Sequence, residues 1–469
     1  MNKLIRLLPS GVQVSLVFAL EALAFALLFI APGFWQSIVA LLGLLAASNF
    51  ALGRWQRVTA LAVLIFLTTV GLALKTGGDF LFIVLAGSLI VLIKIKDVPL
   101  WFKVGLAAVI LFVSIPVAGY ANTFLFELAI QIGIYAAMAL GLNVVVGMAG
   151  LLDLGYAAFF AIGAYTWAIF GSSQAAQFIH GWTALGGNWF YLFMFIAVVT
   201  TAVTGILIGL PALRLRGDYL AIVTLGLGEV IRVLANNLDH PVNLTNGPQG
   251  ISPVMRPDID WFRAVLQFLG IPLGKATDYQ YFFYLLVLVV VAIVVLVNIN
   301  LSKSKFGRAW IAIREDEIAA KAMGIPMVKT KLMAFATGAA FSGAMGVIFA
   351  AQRAFVSPES FTLLASITIL GMVVLGGMGS ITGVVLGTAA LTILNLDVLK
   401  SFSEWLNTLK QSGFVLWGFN FASLPNQVDP AKFERLIFGL ILIMMMIFRP
   451  AGLIPVETAE KKKAAEVQK

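Results

Sequence analysis

YFFYLLVLVVVAIVVLVNINL, residues 281–301, contains no charged side chain. A helix needs about 20 mostly apolar residues to cross the hydrocarbon core of a bilayer, and this run is long enough. The stretch that follows is strongly polar: it reads SKSKFGRAWIAIREDEIAAKAMGIPMVKTK, residues 302–331. An apolar run followed directly by a charged connection is typical of a membrane-spanning helix and its loop. The sequence therefore predicts an all-α, polytopic integral membrane protein.

The amino-acid composition supports the same class. Of the 469 residues, 61% are hydrophobic and 11% are charged, whereas an average soluble domain carries roughly 25% charged residues. There is no cysteine, which excludes disulfides and thiolate metal sites. The two histidines, His180 and His240, lack metal-ligand spacing, so no metal site is predicted. The net charge of +9 arises from short basic runs between apolar segments, which suits anionic lipid better than nucleic acid.

Apolar runs recur along the whole chain, and fourteen are predicted to be membrane segments. Two of them, 79–93 and 363–376, are short for a crossing and are candidates for tilted, broken or re-entrant helices. The predicted segments are 11–31, 35–53, 58–74, 79–93, 103–118, 124–147, 153–171, 189–211, 218–236, 281–301, 332–352, 363–376, 380–396 and 433–449.

Lysine and arginine are distributed unevenly between the two faces that these segments define. With a cytoplasmic N-terminus and every segment crossing, 21 of the 31 basic residues fall in cytoplasmic stretches and nine in the opposite ones. Cytoplasmic loops of membrane proteins are enriched in these residues. The sequence therefore predicts that both termini are cytoplasmic and that 302–331 is a cytoplasmic loop.

Few ionisable residues fall inside the segments: the candidates are Glu21, Glu127, Asp153, Glu229 and Arg232. An ion-coupled secondary transporter would need such groups, although Glu229 and Arg232 are three residues apart on one helix and can simply pair. No group of nucleophile, base and orienting residue gathers at one face, so no catalytic residue is predicted. No G-x-x-x-x-G-K-[ST] motif is present, so ATP would have to be bound by a second polypeptide.

Glycines punctuate two pairs of segments. Small residues allow close helix packing, and clusters of them also accompany helix breaks beside transport pathways, so both interpretations stand. Asn143 is a candidate for either an interhelical hydrogen bond or a ligand group. The pathway or packing candidates are Asn143, Gly147, Gly150, Asp153, Gly155, Gly376, Gly377 and Gly379.

The polar loop 302–331 predicts a short amphipathic helix that ends sharply at Gly324 and Pro326. Such a helix either lies on the membrane surface or inserts into a groove of a partner protein. The residues that follow helical steps along it are Trp310, Ile313, Glu317, Ala320 and Met323.

Six stretches carry a family resemblance. The loop contains Glu317-x-Ala319-Ala320-x-x-x-Gly324, which resembles the E-A-A-x-x-x-G signature of ABC importer permeases with one residue added. The six together resemble the permeases of branched-chain amino acid importers, and among them the larger of the two permease subunits. They are GLNVVVGMAGLLDLGYAAFFAIGAY (141–165), RLRGDYLAIVTLGLGEVIR (214–232), NLTNGPQGI (243–251), GRAWIAIREDEIAAKAMGI (307–325), VLGGMGSITG (374–383) and FRPAGL (448–453).

The resemblance implies an ABC importer permease fold in the inner (plasma) membrane. It implies an N-terminal extension of about five helices (1–120), a permease core (121–455) and a flexible cytoplasmic tail (456–469). The loop would be the coupling helix that contacts the ATP-binding subunit. The contacts implied there are Arg308, Arg314, Glu315, Asp316, Glu317, Ala319, Ala320 and Gly324.

The implied partners are a homologous permease, two ATP-binding subunits that hold the ATP, and a periplasmic substrate-binding protein; no cofactor of the chain's own is implied. Three alternatives remain open at this point. They are an importer of urea or short amides with the same fold, an ion-coupled secondary transporter, and a channel or membrane scaffold.

Overall fold

The computed structural model describes most of the chain from residue 54 onward. The segments predicted at 11–31 and 35–53, and the tail 456–469, lie outside the described residues. The described residues are 54–73, 80–94, 98–174, 183–212, 218–240, 243–268, 274–411, 415–416, 419–420, 434–448 and 452–454.

Helices account for almost all of the described secondary structure. The α-helices before the polar loop are α1 (Arg54–Ala73), α2 (Phe80–Lys94), α3 (Leu100–Val109), α4 (Ile115–Ala121), α5 (Thr123–Leu142), α6 (Ala157–Ala168), α7 (Phe190–Ala212), α8 (Asp218–Asn237), α9 (Asp260–Phe268) and α10 (Lys275–Lys303). Those from the loop onward are α11 (Lys305–Glu315), α12 (Glu317–Ala322), α13 (Met327–Arg353), α14 (Leu363–Gly376), α15 (Ile381–Ile393), α16 (Leu399–Gln411) and α17 (Glu434–Phe448).

Shorter elements join or extend these helices. Strands β1 (Val415–Leu416) and β2 (Phe419–Asn420) form an antiparallel ribbon of two residues each. The π-helical turns are Ile110–Ser114 between α3 and α4, Asn143–Met148 after α5 and Leu394–Val398 after α15, and the 3₁₀ turns are Gly187–Trp189, Gly247–Gln249 and Pro358–Phe361.

The helices confirm the predicted class of an all-α, polytopic membrane protein. Each predicted segment within the described residues overlaps a helix, and 363–376 has the bounds of α14. Two described helices, Val58–Ala73 and Ala157–Ala168, are apolar but shorter than a full crossing. Among the described residues, eight helical runs are long and apolar enough to cross a membrane: Trp101–Ala121, Thr123–Met148, Gly187–Pro211, Tyr219–Asn237, Thr277–Lys303, Met327–Arg353, Pro358–Gly376 and Ile381–Val398.

The chain divides into two compact units, and the first comprises Met1–Ile130 and Leu273–Tyr284. Within it, the hydroxyl of Thr69 on α1 donates to Ser114 Oγ at 2.8 Å. The hydroxyl of Tyr284 on α10 donates to the Leu111 carbonyl, inside the π-helical turn, at 2.7 Å. These bonds join α1, the α3–α4 pair and the start of α10.

The second unit, Gln131–Pro272 and Leu285–Lys469, is organised around α13. Small residues let neighbouring backbones approach α13 closely. A Cβ added at Gly338 would lie 2.9 Å from the Gly141 carbonyl on α5, and one added at Gly163 on α6 would collide with the Gly343 backbone. These glycines therefore allow α5 and α6 to pack closely against α13.

The connections of this unit gather at the two ends of α13, which is about 40 Å long. At the N-terminal end of α13, the polar loop packs against the turn that follows α5. At the other end, Ser172 pairs with Val254 and Ile251 pairs with Val356 through isolated β-bridges. Connections that the sequence assigned to one face of the membrane therefore lie together, as alternate crossings require.

Candidate functional site

The polar loop folds as two short helices rather than the single helix that the sequence predicted. Asp316 separates α11 from α12 with an extended backbone (φ −154°, ψ 111°). Its carboxylate accepts hydrogen bonds from the Ile318 and Ala319 backbone N–H groups at 2.8 and 3.0 Å. A short acidic side chain competes for nearby backbone N–H groups and so begins a new helix instead of continuing the old one.

One face of the loop is held firmly against the membrane bundle. Trp310 is fully buried, and its indole N–H donates to the Thr330 carbonyl at 2.8 Å. The Lys331 ammonium, whose side chain is only 6% exposed, pairs with the Glu317 carboxylate at 2.9 Å. These two contacts join α11 and α12 to the first turn of α13.

The opposite face of the loop presents apolar side chains outward. Ile318 is 74% exposed and Met323 is 83% exposed. Of the residues at the predicted helical steps, Trp310, Ile313 and Ala320 are buried, whereas Met323 is exposed. Large apolar side chains this exposed on a polar loop are candidates for contact with a second protein.

Arg314 connects the loop to the end of α5. Its guanidinium Nη1 donates to the Gly147 carbonyl in a short hydrogen bond. Its side chain also packs on Gly150, where an added Cβ would lie 3.0 Å from Arg314 Cγ. Gly150 adopts φ +70°, in the left-handed region that favours glycine. A side chain at position 150 would therefore disturb both the turn and the arginine.

Asn143 connects the same turn to the turn between α14 and α15. Its Oδ1 accepts from the Gly379 backbone N–H at 2.7 Å, while its Nδ2 has no hydrogen-bond partner among the described residues. Gly147 faces both groups, since a Cβ there would collide with Asn143 Oδ1 and approach the Gly379 nitrogen. We call the contact of Asn143, Gly147, Arg314 and Gly379 the junction.

The turn that holds Gly379 is itself built from close backbone contacts. Gly377 and Gly379 adopt φ +113° and +87°. A Cβ added at Gly376 would collide with the Gly383 backbone on α15. The Leu453 backbone N–H donates to the Leu375 carbonyl at 2.9 Å, so the chain returns to this turn near its end. The two glycine clusters that the sequence singled out thus meet at the junction.

A break in the helix path separates α5 from α6. The predicted segment 153–171 begins too early, because residues 149–156 are not helical and α6 starts at Ala157. Asp153 is 2% exposed; its Oδ1 accepts from the Gly155 N–H at 2.9 Å, and its Oδ2 has no partner in the described part of the chain. Gly155 abuts α8 closely, since a Cβ at Gly228 would lie 2.8 Å from Gly155 Cα.

Charged residues also meet on the exposed side of α8. Arg232 pairs with Glu229 at 2.8 Å, as their i, i+3 spacing predicted, and with Glu359 at 3.2 Å. The side chains of Arg232, Glu229 and Glu359 are 27%, 34% and 66% exposed. Arg232 lies within the apolar run Tyr219–Asn237, where an exposed charge would otherwise face lipid.

The remaining predicted loop residues are exposed, apart from Ala320. Arg308 is exposed and donates to the Lys303 carbonyl at 2.9 Å, and Glu315 and Ala319 are exposed. Ala320 is buried, and Gly324 is exposed with φ +82°. Whether these residues contact a partner stays a prediction.

Of the other ion-coupling candidates, Glu21 lies outside the described residues and Glu127 is half-buried on α5. Within the described ranges, no group of three His, Cys, Asp or Glu residues is placed to hold a metal.

Several contacts around the candidate site could not be predicted from the sequence. Ser366 on α14 accepts from the Ala157 N–H at 2.9 Å, and Glu359 joins Arg232 across 127 positions of sequence. Gly379 and Asn143 are 236 positions apart. Neither spacing nor periodicity connects residues at such separations.

Comparison with known proteins gives a consistent result. The family model described as "Branched-chain amino acid transport system / permease component" matches residues 124–446. The "High-affinity branched-chain amino acid transport system permease protein LivM" of Salmonella typhimurium is 38% identical over 72% of this chain and 71% of its own length. The protein of the same name from Escherichia coli is 37% identical over 70% and 69% of the two chains.

A shorter archaeal protein matches the same way. The "Probable branched-chain amino acid transport permease protein LivM" of Methanocaldococcus jannaschii is 25% identical over 71% of this chain and 95% of its own length. No solved structure matches the chain. The family model begins at residue 124, and the division of the chain at residue 120 stays a prediction.

Proposed function

The chain belongs to the family of branched-chain amino acid transport permeases, and from that premise we propose that it is the membrane-spanning subunit of an ATP-driven importer of branched-chain amino acids. Family membership makes it a membrane transport permease. The relatives named LivM act on branched-chain amino acids by their names, which supports leucine, isoleucine and valine as the substrates.

The observation that carries this proposal is the two-sided polar loop. Its inner face is bonded to α13 and, through Arg314, to the junction. Its outer face exposes Ile318 and Met323. An element that is fixed on one side and apolar on the other suits a contact through which a second protein moves the membrane helices. In this proposal the second protein is the ATP-binding subunit.

Arg314 would transmit the movement. When the ATP-binding subunits close, α11 and α12 shift with them, and the guanidinium carries the displacement to Gly147 and hence to the ends of α5 and α14. Packed interfaces change between discrete arrangements rather than deform continuously, so a small shift of the loop can switch the junction between two states. The chain itself performs no chemistry, and ATP is bound and hydrolysed in the partner.

The charged group formed by α8 and the 3₁₀ turn Pro358–Phe361 supports a companion permease. Glu229, Arg232 and Glu359 are partly exposed in this chain, and charges within a membrane segment face water or protein rather than lipid. A homologous permease packed opposite α8 would enclose them beside the pathway. A periplasmic binding protein would deliver the substrate, and both termini would be cytoplasmic in the inner membrane.

The test is leucine uptake into proteoliposomes that contain this chain, its companion permease, the ATP-binding subunits and the binding protein. Ile318→Asp and Met323→Asp place a charge on the docking face, so we expect the ATP-binding subunit to dissociate and uptake to fall at least about tenfold. Ile318→Leu, which keeps the apolar surface, is the matched control and should retain uptake.

Arg314→Gln separates docking from transmission. It removes the charged donor to Gly147 but leaves the outer face intact, so we expect ATP hydrolysis to persist while uptake falls. Arg263→Gln, which removes a partly exposed arginine that pairs with Asp260 on α9, away from the loop, controls for the loss of charge. Uptake and hydrolysis that fall in parallel in Arg314→Gln would contradict the transmission role.

The alternatives give different outcomes in the same vesicles. Competition of leucine uptake by urea or acetamide, but not by isoleucine or valine, would replace the proposed substrate class. Leucine uptake by this chain alone under a proton or sodium gradient would overturn ATP coupling. Glu127, Asp153 and Glu229 would then be the candidate ion-coupling groups.

A further inference from the structure

A cavity opens between α7 and the start of α13, away from the junction. Its volume is about 690 Å³, within the range of roughly 300–1,000 Å³ for small-molecule sites. Most of its wall is apolar: Ile206 of α7 faces Val328, Leu332 and Met333 of α13. The wall suits a hydrocarbon chain.

Two lysines line this cavity. Lys321 lies on α12 and Lys329 in the first turn of α13, and both are exposed. Lys331, two residues further on, is buried and already paired with Glu317. Among the residues that the structure describes, no acidic side chain lines the cavity. The charged side chains that line it are therefore positive and open to an anionic ligand.

The position of the cavity relates it to the membrane boundary. Met327 is the first residue of the candidate span Met327–Arg353, so Lys321 precedes the span and Lys329 lies in its first turn, at the end where a spanning helix meets the headgroup region. The wall residues of α13 lie within the first two turns of the span. A ligand that fits both parts has an anionic group at the interface and an apolar chain inside.

We propose that this cavity binds an anionic phospholipid of the membrane, with its phosphate between Lys321 and Lys329 and an acyl chain against Ile206, Leu332 and Met333. Basic pockets between membrane helices at the interface are known to hold lipid headgroups. The lipid would fill the space between α7 and the loop helix α12, so it would support the position of the loop. The inference requires only that the chain is embedded in a membrane, and not the direction or energy source of transport.

The first test is native mass spectrometry of the full-length chain, titrated with phosphatidylglycerol and, separately, with phosphatidylcholine. We expect phosphatidylglycerol to bind preferentially. Each interfacial lysine contributes an amount equivalent to about fivefold in affinity, so Lys321→Gln and Lys329→Gln should each weaken binding about fivefold and the double variant about 25-fold. Lys321→Arg and Lys329→Arg should restore it.

Two further variants separate this site from general attraction of anionic lipid. Lys303→Gln removes an exposed lysine of the same loop that does not line the cavity, and it should bind like the wild type. Met333→Trp narrows the apolar part while keeping both lysines, and it should weaken binding of phosphatidylglycerol but not of inorganic phosphate. An equal effect of all three lysine-to-glutamine variants would overturn the proposal.

The absence of cysteine from the chain permits a test of location. A fluorophore attached to Val328→Cys in nanodiscs should be quenched by phosphatidylglycerol with brominated acyl chains, and quenching should fall in the Lys321→Gln, Lys329→Gln background. No quenching would overturn the proposal. Quenching that disappears when the partner subunits assemble would also overturn it, since a protein segment would then occupy the cavity in the transporter.

Discussion

The two faces of the polar loop differ in their contacts. The inner face makes bonds of defined geometry: Trp310 to Thr330, Glu317 to Lys331 and Arg314 to Gly147. The outer face carries Ile318 and Met323, which are mostly exposed. Contacts within the chain thus account for the inner face, whereas the exposed outer face is available for the docking that we propose. Substitutions on the two faces should therefore fail in different ways.

The largest effect is expected at the junction. Gly147→Val would force a branched side chain into Asn143 Oδ1 and the Gly379 backbone. Because overpacking of a close contact typically costs about 1–3 kcal/mol and the atoms here are rigid backbone or bonded, we expect a loss of at least about 3 kcal/mol. The measurement is thermal unfolding of the purified chain in detergent.

Gly439→Ala is the control for this variant. Gly439 lies on α17 with nothing within 4 Å of an added Cβ, so the change should leave stability equal or slightly higher. A Gly147→Val protein as stable as the wild type would show that the junction is looser than the structure indicates.

An intermediate effect is expected at the ion pair. Glu317→Gln leaves the buried Lys331 ammonium without its counter-charge. Loss of one partner from a fully buried pair costs about 3–5 kcal/mol, and partial exposure of Glu317 lowers the expected loss to about 2 kcal/mol. The double variant Glu317→Gln, Lys331→Met should recover most of that loss in the same unfolding assay. Additive losses in the double variant would mean that the two residues do not interact.

The smallest effect on stability is expected on the outer face. Ile318→Asp changes an exposed side chain, so the free energy of unfolding of the isolated chain should stay within about 0.5 kcal/mol of the wild type. The measurement that distinguishes the two faces is binding of the ATP-binding subunit to the variant. We expect Ile318→Asp to abolish that binding. Substantial destabilisation with intact binding would reverse the assignment of the two faces.

The positions of the helices were predictable because membrane segments are long apolar runs. The bounds of α14 and the pairing of Glu229 with Arg232 follow from local sequence alone. The break at Asp316 was missed, since the residues around it favour a helix and only the backbone bonds of its carboxylate interrupt it. A local sequence pattern indicates which secondary structure a segment favours, but it does not indicate where side-chain hydrogen bonds to the backbone will end that structure.

The candidate site was predictable in composition but not in arrangement. The sequence singled out Asn143, Gly147, Gly379 and Arg314 in two separate groups, as pathway or packing residues and as loop contacts. The structure brings them together at the junction. Contacts across such sequence separations depend on the packing of α5, α13 and α14, which no single segment encodes.

The break before α6 has a consequence for the order of events during synthesis. The first backbone N–H of α6 bonds to Ser366, which lies 209 positions further along the chain. At about 5–20 residues per second, a ribosome takes roughly 10–40 s to make that distance. The Ala157 N–H of α6 therefore lacks its Ser366 acceptor while α7 to α13 are synthesised. Until Ser366 is made, some other group must satisfy that N–H, so α6 reaches its native hydrogen bonding only late in translation.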